Sequence, residues 1–265
     1  MHIVVCVKQV PDTTEVRIDP ETNTLDRSSA PAILNPYDAH AVEEAVRLKE
    51  KFGGKVTAIS MGPPGAADVI KKSISLGANQ GYLLGDRLFA GSDTLATSYI
   101  LAEGIRKVCR EEPYDLILCG KQAIDGDTAQ VGPGIARRLS IAQLTCVNKI
   151  LEIDPEHKEI TVQQKMDDGY VKVAIDMPCL ITVDKTINEL RYSSLSNMLR
   201  AARYKPMVLT AADLNADSVW MGLKGSPTSV FKIFAPTRLG RAEMLQGDDC
   251  LVVEQLADKL LQKLA

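Results

Sequence analysis

The stretch richest in chemical possibility is Gly120-Lys121-Gln122-Ala123-Ile124-Asp125-Gly126-Asp127-Thr128-Ala129-Gln130-Val131-Gly132-Pro133-Gly134. It leaves an apolar run, Asp115 to Cys119, crosses small residues and enters a helical pattern expected from about Thr128 to Leu139. Backbone N–H groups at a helix start, aided by the helix dipole, bind phosphate. Asp125 and Asp127 would repel phosphate, so they need another role, such as helix capping or contact with magnesium. The pattern is neither a P-loop nor G-x-G-x-x-G. A capped turn between strand and helix, with no ligand, accounts for the same residues.

The elements around this loop must position it. Residues 2–8 are a continuous apolar run, the mark of a strand buried on both faces. Val16 to Asp26 reads as a short hairpin or irregular excursion. Asn35-Pro36-Tyr37-Asp38 opens a helix with Ala41, Val42, Ala45, Val46 and Leu48 on its apolar stripe. Lys55 to Met61 is a second buried strand, followed by a helix to about Leu76. Gly81 to Leu84 is a strand, and Ser92-Asp93-Thr94 caps a helix to about Cys109. This alternation predicts a parallel sheet covered on both faces. The loops after Val7, Ser60, Gly85 and Gly120 then share the edge where such sheets bind ligands.

After about residue 143 the pattern changes. Glu159 to Met166 and Tyr170 to Ile175 alternate around the turn Asp167-Asp168-Gly169, and Pro178 to Val183 is a further apolar strand. We expect an antiparallel addition that extends the sheet. From Asn188 onward strand patterning is lost. Leu195 to Arg203 is a short basic helix, and Gly222 to Pro236 is punctuated by Gly and Pro. A terminal helix presents Leu251, Val252, Leu256, Leu260, Leu261 and Leu264. The last ~60 residues look too thin for their own core and are expected to be an arm packed on another subunit.

Composition narrows the classes. The 265 residues are 45% hydrophobic and 25% charged, as in an ordinary globular protein of one large domain or a domain plus an appendage. The net charge of −3 offers no global basic field for nucleic acid. No apolar run approaches the ~20 residues of a membrane span. The N-terminus reads as a buried strand, without the flanks or cleavage site of a signal peptide. Six cysteines form no C-x-x-C pair, and three sit in apolar strand-like runs, which fits a reducing cytoplasm. The three histidines are scattered, so no metal site is signalled.

Gly120-Lys121-Gln122-Ala123-Ile124-Asp125, with Asp127 and Gln130, resembles the adenine-nucleotide loop of the electron-transfer flavoprotein β subunit. Further landmarks of that family recur in order. They are Val7-Lys8-Gln9-Val10-Pro11-Asp12, Asn35-Pro36-Tyr37-Asp38, Ala41 to Lys49, Asn188-Glu189-Leu190-Arg191-Tyr192 and Leu195-Ser196-Asn197-Met198. The likeness spans essentially the whole chain. It implies an α/β fold: a parallel-sheet nucleotide-binding domain of the adenine nucleotide α-hydrolase-like kind, with an antiparallel extension and a C-terminal arm. The implied domains are residues 1–190 for nucleotide or FAD, 191–205 for partner recognition and 206–265 for an arm on the α subunit.

The resemblance also implies ligands and partners. An α subunit would carry its own FAD. Family binding positions carry over to Cys6, Asn35, Pro36, Tyr37, Asp38, Met61 and Gly120 to Val131, which are the strand ends chosen above on other grounds. In many members the β-subunit ligand is structural AMP, and in electron-bifurcating members it is a second FAD. Gln9, Thr13 and the segment Phe89 to Thr97 resemble the bacterial branch that includes bifurcating members. We therefore expect FAD, with Thr94 and Thr97, and with Lys224, Ser226 and Thr228, beside the flavin. NADH would be the donor, and ferredoxin and a flavin-dependent dehydrogenase of the acyl-CoA or 2-hydroxy-acid type the acceptors. Leu195 and Met198, rimmed by Arg200 and Arg203, would dock that dehydrogenase. A non-bifurcating carrier with AMP is the alternative. A nucleotide-binding sensor on the same kind of sheet is a third reading, disfavoured by the full-length likeness and the long arm.

Overall fold

In the computed structural model, residues 1–12, 17–18, 25–26, 31–228 and 244–264 are described. The first strands are β1 (His2–Cys6), β2 (Gln9–Pro11), β3 (Arg17–Ile18), β4 (Leu25–Asp26) and β5 (Ala32–Leu34). Helix α1 (Pro36–Phe52) leads to β6 (Lys55–Met61), α2 (Ala67–Leu76) and β7 (Gln80–Leu84). Then come α3 (Thr94–Val108), β8 (Leu116–Gly120) and α4 (Val131–Leu139). The remainder is β9 (Ala142–Asp154), β10 (Glu159–Met166), β11 (Gly169–Asp176), β12 (Cys179–Val183), α5 (Leu195–Arg203), β13 (Met207–Leu209), α6 (Ala211–Leu214) and α7 (Asp249–Leu264).

All five residues of β1 are buried, and a strand without a polar face belongs in the middle of a covered sheet. The main sheet has nine strands in the order β11-β10-β9-β12-β8-β1-β6-β7-β13. Every neighbouring pair from β9 to β13 is parallel, whereas β10 runs antiparallel to both β9 and β11. Alternate residues of β1 serve opposite layers. Ile3 and Val5 pack with Ala41, Val42, Ala45 and Val46 of α1 and with Val69 and Ile74 of α2. Val4 and Cys6 pack with Ile100 and Ile105 of α3 and with Ile135 and Ala136 of α4. Gly104 lets α3 lie close to β7, since a Cβ there would stand 2.5 Å from Leu84 Cδ1.

The expected α/β sheet is present, with three differences. Pro178 to Val183 was expected in the antiparallel addition, yet β12 is an interior parallel strand beside β8. β9 was unforeseen: Cys146 holds φ +55 and the pairing shifts register beside it, which erases the alternation that would announce a strand. The expected arm from 206 begins too early. β13 closes one edge of the sheet, and Leu209, Leu214 and Met221 are buried beside α3 residues. Residues up to Phe231 form one compact unit, and Lys232–Ala265 form a second. A three-residue edge strand is too short to show a period. Within the excursion at Val16 to Asp26, β3 and β4 pair antiparallel.

α4 ends at Ser140, an exposed residue with φ +57. Ile141 N–H donates to Ala136 O (3.1 Å) and Ser140 N–H to Arg137 O (3.3 Å), the bonding of a glycine-type helix stop without the glycine. Ser140→Gly removes the left-handed strain and stabilises the chain by about 1 kcal/mol. Thermal unfolding should show a rise of about 2–4 °C, and a fall would contradict this account.

Candidate functional site

β1, β6 and β8 end on one edge, and their last residues Cys6, Met61, Cys119 and Gly120 floor a cleft of about 340 Å³. Asp38, in the first turn of α1, reaches the ends of the neighbouring strands β1 and β8. Lys8 N–H donates to its Oδ2 (2.8 Å) and Gly120 N–H to its Oδ1 (3.1 Å). Burial pushes this carboxyl up to about 7, against the pull of the hydrogen bonds it accepts. Gly120 is required by this closeness: a Cβ there would stand 2.6 Å from Tyr37 Cβ and collide with Asp38. Asn35 ties the following loop, donating from Nδ2 to Gln122 O (2.9 Å) and accepting at Oδ1 from Ile124 N–H (3.3 Å).

Two helices start at the cleft, and they start differently. α3 is closed by Asp93, which accepts from the N–H of Leu95 (2.9 Å) and of Ala96 (3.1 Å). α4 has no side-chain cap, and Gln130, Val131 and Gly132 of its start line the cleft. Asp127 and Ala129 hold φ +50 and +54, so the helix begins at Val131 rather than near Thr128. Neither loop carboxylate caps it. Asp125 pairs with Lys8 Nζ (2.7 and 2.8 Å), and Asp127 accepts from Gln122 Nε2 (2.7 Å). An open helix start beside small residues favours an anion. Cys119 is pushed up by its contact with Cys6 and by burial, so this part of the floor carries a neutral thiol.

Most expected site residues meet here. Cys6, Asn35, Asp38, Met61, Thr94, Thr97 and Gly120 to Ala123 line the cleft, as do Gly126 to Val131. Thr94 Oγ1 donates to Gln130 Oε1 (2.9 Å), joining α3 to the start of α4. Pro36, Tyr37, Ile124 and Asp125 are not among the lining residues, and Lys185 Nζ lies 4.5 Å from the Tyr37 ring centroid. Lys224, Ser226 and Thr228 do not line it. Ser226 Oγ accepts from Asp93 N–H (2.8 Å), and Thr228 N–H and Oγ1 donate to Asp93 Oδ2 (3.1 and 2.8 Å). Their turn folds back to brace the α3 cap. Burial raises the Asp93 carboxyl, but the bonds it accepts from Ala96, Thr228 and Leu95 outweigh burial and hold it below the usual range. Val7, Lys8, Ser92, Asp93, Leu101, Cys119 and Gly132 also line the cleft without having been assigned to it. Val7, Lys8 and Cys119 belong to strand ends, and that position was the available signal. Thr13 lies outside the described residues.

The expected docking residues divide. Leu195 is 72% exposed and Met198 53%, and Leu199 stands beside them, an i, i+3, i+4 apolar face open to solvent. Arg203 is exposed on the same helix. Arg200 has an internal role: its Nη2 donates to the carbonyls of Ile74 (3.1 Å) and Ala78 (2.7 Å) at the end of α2.

Asp38 sets a pH dependence. Its folded value of about 7 stands above its ordinary 3.8, so the folded state holds this proton more tightly than the unfolded chain. Its contribution to stability is full in acid and is lost as pH rises through about 7. The margin of wild type over Asp38→Asn in denaturant unfolding should therefore narrow from pH 4 to pH 7.5. A margin that widens would contradict this.

Comparison with known proteins agrees with this geometry. The family model for the electron transfer flavoprotein domain matches residues 22–214. The chain is 50% identical to Protein FixA of Azotobacter vinelandii over 266 residues, covering 100% of this chain and 94% of that one. It is 45% identical to the electron transfer flavoprotein subunit beta of Thermoanaerobacterium thermosaccharolyticum over 261 residues, 98% of both chains. It is also 45% identical to the subunit of the same name from Megasphaera elsdenii over 268 residues, again 98% of both. With the strand-end cleft, the matched domain and relatives alike along their full length, this chain belongs to the electron transfer flavoprotein family, among its β subunits.

Proposed function

We propose that this chain binds FAD in the strand-end cleft and works in a heterodimer whose α subunit carries a second FAD. NADH is the hydride donor, and electrons pass to ferredoxin and, through the α-subunit FAD, to a flavin-dependent dehydrogenase of the acyl-CoA or 2-hydroxy-acid type. The observation that carries the nucleotide reading is the uncapped start of α4 opening into the cleft. Gln130, Val131 and Gly132 would hold phosphate, and Asn35 and Asp38 would keep the loop in place. Thr94 and Thr97 offer hydroxyls along the α3 wall. A bound flavin would supply both hydride acceptance and one-electron delivery. The chain's own part is to bind it, orient it and tune it.

A second reading has its own support. About 340 Å³ lies at the low end of small-molecule sites, roughly 300–1,000 Å³, and the 226–228 hydroxyls are held by Asp93. Both features favour a mononucleotide such as AMP and a simple electron carrier.

The remaining assignments follow the same reading. α5 docks the dehydrogenase through Leu195 and Met198, with Arg203 at the rim, an apolar centre with a cationic edge. α7 exposes Leu251, Leu256, Leu260 and Leu261 and is the candidate surface for the α subunit. Among the described residues no helix is long and apolar enough to cross a membrane. All six cysteines are free and four are buried, which fits a reducing compartment such as the cytoplasm.

Cofactor release from the purified heterodimer separates the two readings. Two FAD per heterodimer supports the bifurcating assignment; one FAD with stoichiometric AMP supports the carrier. Gly126 tests the placement, because it lines the cleft and a Cβ on it meets nothing within 4 Å. Gly126→Trp should keep the fold and the α-subunit FAD while lowering β-site occupancy. Full occupancy in that variant would reject the cleft as the site.

A further inference from the structure

The connector from β12 to α5 is laid along α1. Lys185 stands over the Tyr37 ring. Asn188 Nδ2 donates to His40 O (3.0 Å) and to Glu44 Oε2 (2.9 Å). Glu189 O accepts from Arg47 Nη2 (2.8 Å). Arg191 then spans two carboxylates: Nε donates to Glu43 Oε2 (2.8 Å), and Nη1 and Nη2 donate to Glu50 (2.6 and 3.0 Å). The α1 positions 37, 40, 44 and 47 step by three or four residues, and 43 and 50 by seven. The connector thus follows one side of the helix.

Two features make Arg191 the main fastening. Glu43 is 1% exposed and takes guanidinium bonds from both Arg47 and Arg191. Burial raises its carboxyl, but those bonds outweigh burial and hold it below its usual range. Removing one partner of a buried charge leaves it undercompensated. Second, α5 has little core of its own, since Ala201 is its one buried residue. At its far end Arg200 holds the end of α2, and Tyr204 Oη accepts from Gly81 N–H (2.6 Å). The helix is held by polar fastenings at both ends, while Leu195, Met198 and Leu199 face solvent.

We propose that Arg191 is a positioning residue for partner docking: by clasping Glu43 and Glu50 it locks the connector to α1 and sets the direction in which α5 presents Leu195 and Met198. The proposal rests on α5 being the dehydrogenase-docking surface. α1 also carries Asp38, with Asn35 at its N-cap, so one helix relates the docking face to the nucleotide cleft. A guanidinium is required because its planar fork meets two carboxylates at once. A lysine keeps the charge but acts as a single point donor.

The test uses the heterodimer with its own α subunit and a flavin-dependent dehydrogenase that the wild-type heterodimer reduces. Wild type, Leu195→Ala, Arg191→Lys and the double variant are compared for kcat, KM, bound nucleotide and thermal midpoint. Arg191→Lys should raise KM for the heterodimer about fivefold, with kcat and nucleotide content within about twofold of wild type. In the Leu195→Ala background the same change should add less than about twofold, because the face it positions is already gone. Wild-type KM in Arg191→Lys, with Leu195→Ala impaired, overturns the proposal and leaves the docking surface standing. Unchanged kinetics in Leu195→Ala overturns the docking surface and the proposal together. Independent effects that multiply in the double variant also overturn it. If Arg191→Lys does not fold, Glu50→Gln opens the outer half of the clasp without stranding a buried charge. A raised KM there supports the proposal, and a wild-type KM overturns it.

Discussion

One buried carboxylate organises the site. Asp38 sits on the first turn of α1 and accepts backbone N–H bonds from Lys8 and Gly120, the residues that leave β1 and β8. Those strands are neighbours in the middle of the sheet, and their exits would otherwise leave two donors without partners near the core. By satisfying both, Asp38 sets where the chain turns away and so where the cleft opens. Glycine at 120 is a consequence, because the turn passes too close to α1 for a side chain. Asn35, three residues earlier, does the same for the loop that follows, bonding at Gln122 and Ile124. A single helix start thus shapes most of one wall.

The opposite wall divides its labour by charge. α3 begins behind Asp93, whose carboxylate answers its first N–H groups and also holds Thr228. Its helix dipole is neutralised internally. α4 begins after Gln130 without a side-chain cap, so the positive end of its dipole at the cleft is not neutralised by its own N-cap residue. Lys8 and Asp125 pair beside the cleft, but their side chains are 49% and 32% exposed, and such a pair is worth little in water. That pair is easily parted, while Asp38 and Asn35 hold the strand ends and the loop through part-buried hydrogen bonds.

α1 connects the cleft with the segment that leads to α5. Its first turn shapes the cleft, and its length carries the connector to α5 through Asn188, Glu189 and Arg191. α5 buries only Ala201 of its own residues and packs along α2, and the polar fastenings at Arg191 and Arg200 leave its apolar face free. Arg200 illustrates the trade: on a helical wheel it belongs to the basic rim, yet it caps α2 from outside.

What the sequence determined by itself was everything local or strictly periodic. The apolar run at 2–8, the stripe Ala41 to Leu48, the turn before Gly169 and the cap at Asp93 each state their element through composition and spacing. So does the loop from Gly120, whose small residues follow a buried strand and lead into a helix. Only the tertiary structure decided what depends on meeting partners far along the chain. β9 could not be read because Cys146 breaks the alternation, and β13 because three residues carry no period. Ser226 and Thr228 have the hydroxyls a flavin would use, yet Asp93 claims them across more than 130 residues of sequence. Asp38 looks like an ordinary first-turn acid until β1 and β8 bring their N–H groups to it. Residue type states what a side chain can bond; the fold alone states which partner stands within 3 Å of it.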